Sequence, residues 1–281
     1  MSDCSFLNAT IISCQGLYIS WQRCSMLYDP VQRHKAIEKL VTRYSPQSCE
    51  KRYYRFRPAR WYGGIVTADC AGCGLLCKFC WVRDSVMLHP ASTGEFYAAT
   101  EVANKLVAMA RIHRWNQLRL SGGEPTLGKP HLLELLDLLK GKGLSFILET
   151  NGIPIAYEED YAKELSKHDF VHVRVSLKGC NEEEFSLLTG SKPEGFRLQL
   201  QSLEKLCREG ANCHAAIMTS FSNRKTHQAL LQSLRRISPD LCENAETEEL
   251  ILYPHVTKRL QRWKLNYASA YEPSRVPKEQ I

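Results

Sequence analysis

The chain has 281 residues, 44% of them hydrophobic, which suits one large α/β domain or two small ones, and it carries a net charge of +7 and 12 cysteines. The start, Met1-Ser2-Asp3-Cys4, has no basic n-region, and no apolar run reaches the roughly 20 residues that span a bilayer, so neither secretion nor membrane insertion is expected. The expected compartment is the cytoplasm, where cysteine richness points to metal ligation or redox chemistry more than to disulfides.

Residues 1–60 contain one helical stretch, His34–Tyr44, and otherwise irregular sequence, and are expected to form an N-terminal extension, partly helical and basic. Its end, residues 51–64 (KRYYRFRPARWYGG), holds Lys51, Arg52, Arg55, Arg57 and Arg60, five aromatics and no acid. This is either an arm with its aromatics packed on the core or, over 51–62, a surface that grips phosphates and stacks RNA bases.

From Gly64 onward, short β-branched runs alternate with apolar residues at helical spacing. The expected strands are Ile65–Asp69, Gln117–Ser121, Ser145–Glu149, His172–Leu177, Asn212–Thr219 and Glu249–Tyr253. The helical patterns between them include Val102, Leu106, Val107 and Met109, then Leu132, Leu135, Leu136 and Leu139, then Leu203 and Leu206. Repeated βα units imply a parallel sheet, and six strands fall short of the eight that close a barrel. The expected fold is therefore α/β, a partial (β/α)6 TIM-type barrel over residues 61–256, open on one side where a substrate can enter. Residues 257–281 read as a basic C-terminal tail containing Lys258, Arg259, Arg262 and Lys264.

The chemistry is concentrated at strand ends. Directly after the first strand comes Cys73-Gly74-Leu75-Leu76-Cys77-Lys78-Phe79-Cys80, where a parallel sheet places its active site. Three thiolates on a [4Fe–4S] cube leave one iron open to an outside ligand. A structural zinc site would call for four ligands, and no second cysteine pair follows; Cys70 suits a strand-end residue better than a fourth ligand. After the second strand stands Ser121-Gly122-Gly123-Glu124-Pro125, whose glycines permit close backbone approach and whose carboxylate can accept from an ammonium group. The third strand ends in Glu149-Thr150-Asn151-Gly152, the fourth in Ser176-Leu177-Lys178-Gly179, and the sixth in Leu252-Tyr253-Pro254-His255.

The spacing Cys-x3-Cys-x-Phe-Cys resembles the signature of the radical SAM superfamily, and the Gly-Gly-Glu-Pro segment is similar to that family's motif. The Thr150-Asn151-Gly152 run, Lys178 and the Pro254-His255 pair resemble the glycyl-radical-enzyme activases, although Ser176 stands where those usually carry an aspartate. The resemblance covers about residues 64–256. It implies a [4Fe–4S] cluster on Cys73, Cys77 and Cys80 and reductive cleavage of S-adenosylmethionine to a 5′-deoxyadenosyl radical. It further implies that Gly122, Gly123, Glu124 and Pro125 receive the methionine amino group, that Thr150, Asn151, Ser176, Lys178 and His255 contact the cofactor, and that Phe79 packs on adenine. A low-potential electron donor such as ferredoxin or flavodoxin and a protein or peptide substrate follow from the same resemblance. An RNA- or nucleotide-modifying enzyme and a non-catalytic iron–sulfur electron carrier are the competing readings.

Overall fold

The computed structural model describes residues 27–46 and 48–277, so the first 26 residues of the expected extension, with Cys4, Cys14 and Cys24, lie outside the described residues. In chain order the elements are α1 (Pro30–Val41), β1 (Thr42–Tyr44), β2 (Cys49–Ala59), β3 (Ile65–Cys70), α2 (Asp84–Met87), β4 (Glu95–Ala98), α3 (Ala99–His113), β5 (Gln117–Gly122), α4 (Lys129–Leu139) and β6 (Ser145–Thr150). There follow α5 (Ile153–Tyr157), α6 (Tyr161–Ser166), β7 (Val171–Leu177), α7 (Glu182–Thr189), α8 (Glu194–Arg208), β8 (Cys213–Met218), α9 (Arg224–Ile237), α10 (Pro239–Glu243), β9 (Glu246–Glu248), β10 (Leu250–Ile251), α11 (Pro254–Trp263) and β11 (Ala270–Tyr271).

Strands β3, β5, β6, β7, β8 and β9 lie side by side and parallel, the six-stranded open α/β sheet that the alternating pattern implies. Strands β5 and β7 show the clearest apolar–polar alternation. Val66, Ala68, Leu118, Leu120, Phe146, Leu148, Val173 and Val175 face the helices and join one apolar core. There α4 contributes Leu132, Leu135, Leu136 and Leu139, a helical stripe in which each side chain is no more than 1% exposed and stabilises the fold by about 2 kcal/mol. Most of the intervening residues, among them Asp69, Arg119, Ser121, Glu149, Arg174 and Ser176, are polar, with Ile147 an apolar exception. The sheet thus has an oily outer face and a charged inner one.

Several elements differ from the sequence expectation, among them the segment read as a C-terminal tail, whose residues 257–263 continue α11 with Arg259 buried. The first helix runs Pro30–Val41 rather than His34–Tyr44: Asp29 caps it by accepting from the Gln32 N–H at 3.0 Å, Pro30 starts it, and Thr42 turns the chain into β1. Residues 49–59 form β2, which pairs antiparallel with β3 and so extends the main sheet. The sixth parallel strand is Glu246–Glu248, not Glu249–Tyr253. Arg174 on β7 holds Glu246 at 2.7 Å, so an ion pair recruits this strand, while the apolar run after it pairs with Ala270–Tyr271 in a separate small sheet. No helix among the described residues is long and apolar enough to cross a membrane.

Candidate functional site

The polar inner face of the sheet and the loops beyond its C-terminal edge enclose a cavity of about 650 Å³. Cys73, Cys77 and Cys80 all line it, on the loop that follows β3. Burial pushes the Cys77 thiol up to about 12 and raises Cys73 and Cys80 as well, so the free thiols are neutral and ligation to a metal releases their protons. N–H groups are already aimed at the sulfurs: Leu75 N lies 3.4 Å from Cys73 Sγ, Val82 N 3.4 Å from Cys80 Sγ and Asn151 Nδ2 3.7 Å from Cys73 Sγ. Cys70 is wholly buried and donates to the Ser121 carbonyl, away from this loop.

The loop after β5 is bonded directly to the start of the cysteine loop. Gly123 N donates to Cys70 O at 2.7 Å and Glu124 N to Gly72 O at 2.6 Å. This contact explains both glycines: Gly122 has φ +90°, and a Cβ at Gly123 would lie 2.2 Å from Gly72 O. The Glu124 carboxylate is turned into its own loop. Its Oε1 accepts from Thr126 N, Thr126 Oγ1 and Thr150 Oγ1, and its Oε2 from Asn151 N at 2.8 Å. From beneath, the wholly buried Lys51 of β2 donates to the carbonyls of Glu124 (2.9 Å), Pro125 (2.6 Å) and Leu127 (2.7 Å). Three acceptors require all three N–H groups of the ammonium form.

Asn151 links this loop to α1. Its Nδ2 donates to His34 Nε2 at 3.0 Å, while His34 Nδ1 donates to Pro30 O at 2.7 Å. That pattern fixes a neutral imidazole, in line with the lowering of its pKa by burial. His34, Cys73 and Glu124 gather potential ligand atoms within 4.8 Å of one another, but both His34 nitrogens are spent on these bonds, which makes the group a frame for the cysteine loop. Gly74 leaves room for it, since a Cβ there would lie 2.2 Å from the His34 ring.

On the far side, α11 clasps the cysteine loop. His255 Nε2 donates to Trp81 O at 2.7 Å, and Arg259, one turn later on the same face, donates to Cys80 O (2.7 Å) and Val82 O (2.9 Å) and pairs with Asp84. Three successive carbonyls are held from one helix.

A family profile described as the radical SAM superfamily matches residues 69–232, more than half of the chain. The chain belongs to the radical SAM superfamily. A protein of Methanocaldococcus jannaschii with a provisional assignment as a glycyl-radical enzyme activating enzyme is 31% identical over 124 residues, 44% of this chain and 43% of that one. Molybdenum cofactor biosynthesis protein 1 of Dictyostelium discoideum is 32% identical over 120 residues, 42% of this chain and 18% of that one. Among solved structures, SuiB of Streptococcus suis bound to its precursor peptide SuiA superposes with a TM-score of 0.52 at 15% identity, over 71% of this chain and 46% of that one, a likeness of fold. The matches thus span less than half of each of these relatives.

The radical SAM motif residues converge on one cavity: Phe79, Gly122, Gly123, Glu124, Thr150, Asn151, Ser176, Lys178 and His255 all line it. Phe79 packs on Phe221 with ring centroids 5.5 Å apart and lies under the Lys178 ammonium at 5.9 Å. Ser176 accepts from Arg174 at 3.0 Å, leaving its hydroxyl proton to donate. Pro125 is not among the lining residues; its carbonyl is bound by Lys51. Sequence reasoning missed His34, Lys51 and Arg259, which act through backbone carbonyls and side chains distant in sequence. It also missed the inner charges. Glu149 accepts from Arg119 (3.0 Å), Ser121 (2.7 Å) and Tyr62 (3.0 Å); burial alone would raise its pKa, but Arg119 and Arg174 outweigh burial and hold it at about 2. Arg174 also pairs with Glu246 and Glu248, and Glu248 Oε2 is buried with no partner among the described residues.

Proposed function

We propose that the chain is a radical SAM enzyme that binds a [4Fe–4S] cluster on Cys73, Cys77 and Cys80, cleaves S-adenosylmethionine reductively and acts on a protein or peptide. The observation that carries this reading is the trio of cavity-lining thiols on a loop bonded to the Gly122-Gly123-Glu124 turn. The donor set suits the cluster: three sulfurs are supplied, and the N–H groups of Leu75, Val82 and Asn151 are in place to stabilise their thiolates. Once bound, cluster and S-adenosylmethionine supply the electron and the 5′-deoxyadenosyl radical that abstracts hydrogen.

The chain's own residues bind, orient and shield. The glycines of the β5 loop let backbone approach the methionine end, and Glu124 keeps that loop in shape. Lys178 would pair with the carboxylate of bound S-adenosylmethionine, and the Ser176 hydroxyl and the unpartnered Glu248 Oε2 would hydrogen-bond its ribose. Phe79 offers a face to adenine, and Trp81 and Tyr253 limit water at the mouth. A low-potential donor of the ferredoxin or flavodoxin type delivers the electron. A protein substrate is supported by the similarity to the assigned activating enzyme of M. jannaschii.

The test is electron paramagnetic resonance of the anaerobically reconstituted chain. Roughly four irons per chain and a reduced-cluster signal that shifts when S-adenosylmethionine is added are expected. A loaded cluster whose signal ignores S-adenosylmethionine would leave the electron-carrier reading in its place.

A further inference from the structure

Arg55 and Arg57 line the cavity. Strand β2 pairs with β3 at Tyr53 to Cys70 and next at Arg55 to Asp69, so Tyr54 is an extra residue, a β-bulge. Regular alternation would send Arg55 and Arg57 to the same face as Tyr53, which packs in the apolar core. The bulge reverses the parity. Phe56 now joins Tyr53 on the outer face, with ring centroids 5.8 Å apart, while Tyr54, Arg55 and Arg57 all line the cavity.

Inside, two guanidiniums share one carboxylate. Asp69, with its side chain wholly buried, accepts from Arg55 Nε at 2.6 Å and from Arg57 Nε and Nη2 at 2.8 and 3.3 Å. On the neighbouring strands Glu149 is paired with Arg119, and Glu246 and Glu248 share Arg174. At Asp69 itself two guanidiniums thus meet a single carboxylate. Arg55 gives only Nε to Asp69, and its side chain is 44% exposed. The Trp81 ring lies 5.8 Å from both guanidiniums, and the buried Tyr54 hydroxyl has no partner among the described residues. Donors outnumber acceptors at a point where a bulge has turned them toward the chamber.

From this we propose that Tyr54, Arg55 and Arg57 form a receptor for an anionic group of the peptide substrate, a carboxylate or a phosphate. The proposal rests on the reading of the cavity as a substrate chamber. Two forked guanidiniums and a hydroxyl suit a group with several acceptor oxygens. The same geometry turns Arg55 and Arg57, two of the four arginines of residues 51–62, toward the chamber, while Arg60 stays exposed outside it.

The experiment is calorimetric titration of the reconstituted chain, with S-adenosylmethionine present, using three hexapeptides that differ only in a central glutamate, phosphoserine or glutamine. At least about tenfold tighter binding of an anionic peptide than of the glutamine peptide is expected, and the better of the two identifies the group. Arg55→Met should abolish the preference while Arg57 keeps Asp69 paired, and Tyr54→Phe, which preserves volume, should weaken it severalfold. Equal binding of all three peptides, no binding up to about 10 mM, or an unchanged preference in both variants would overturn the receptor. Stronger binding of a short oligoribonucleotide than of any peptide would overturn the peptide assignment. Formation of 5′-deoxyadenosine by the unmodified chain is read separately, so a chain that cleaves the cofactor yet ignores peptide charge refutes the receptor alone.

Discussion

Replacing Lys51 with methionine removes an ammonium while nearly preserving side-chain length. In the native chain this group is wholly buried and bonded to three carbonyls of the loop that carries Glu124. Each bond to a charged donor contributes about 1.5–3 kcal/mol, and each carbonyl left dry costs about 1–3 kcal/mol. Against this, methionine avoids the desolvation of a cation, several kcal/mol in a buried site and the main influence lowering the pKa of Lys51. The net expected loss is about 4 kcal/mol, a large share of the 5–15 kcal/mol typical of folded proteins. Because the loop is the one bonded to the cysteine segment, affinity for S-adenosylmethionine should fall about tenfold or more. Urea denaturation gives the first quantity and equilibrium dialysis of the reconstituted protein the second. A variant within about 0.5 kcal/mol of the parent and with unchanged affinity would show that Lys51 only fills space.

Three further outcomes follow from the same geometry. Arg259→Met, which frees the carbonyls of Cys80 and Val82, should speed chelator-driven iron loss severalfold without unfolding the barrel; an unchanged rate would count against the clasp. Gly123→Ala places a Cβ 2.2 Å from Gly72 O and should displace the loop, so binding of S-adenosylmethionine is lost while the circular dichroism of the fold is kept; normal binding would refute this. Glu149, held at about 2 against an ordinary 4.5, contributes about 3 kcal/mol at neutral pH, and this is lost as pH falls from about 4.5 to about 2. Glu149→Gln should flatten that part of the stability profile, and a parallel profile for the variant would argue against the ion cluster.

Five of the six parallel strands were legible because β-branched strands and leucine-striped helices alternate from Gly64 to Thr219, and each period reports a face, whereas the antiparallel β1, β2 and β4 at the sheet's edge were not. The cysteine and Gly-Gly-Glu segments were legible because their chemistry needs fixed residue types at fixed spacing. What lay beyond reach depends on pairing across long sequence distances. Nothing local marks His34 as the partner of Asn151, or Lys51 as the clamp of a loop more than 70 residues away. The bulge at Tyr54 is equally silent in sequence, yet it decides whether Arg55 and Arg57 face solvent or chamber. Glu246–Glu248 escaped notice as a strand because its place is held by Arg174 rather than by apolar side chains.

The proposed function turns on reductive cleavage of S-adenosylmethionine at the three-cysteine loop. The direct measurement is 5′-deoxyadenosine formed by the anaerobically reconstituted chain with dithionite and S-adenosylmethionine, beside a Cys77→Ala control. Product is expected from the parent chain and none from the variant. A fully loaded cluster that forms no product, even with cell extract supplying substrate, would contradict it.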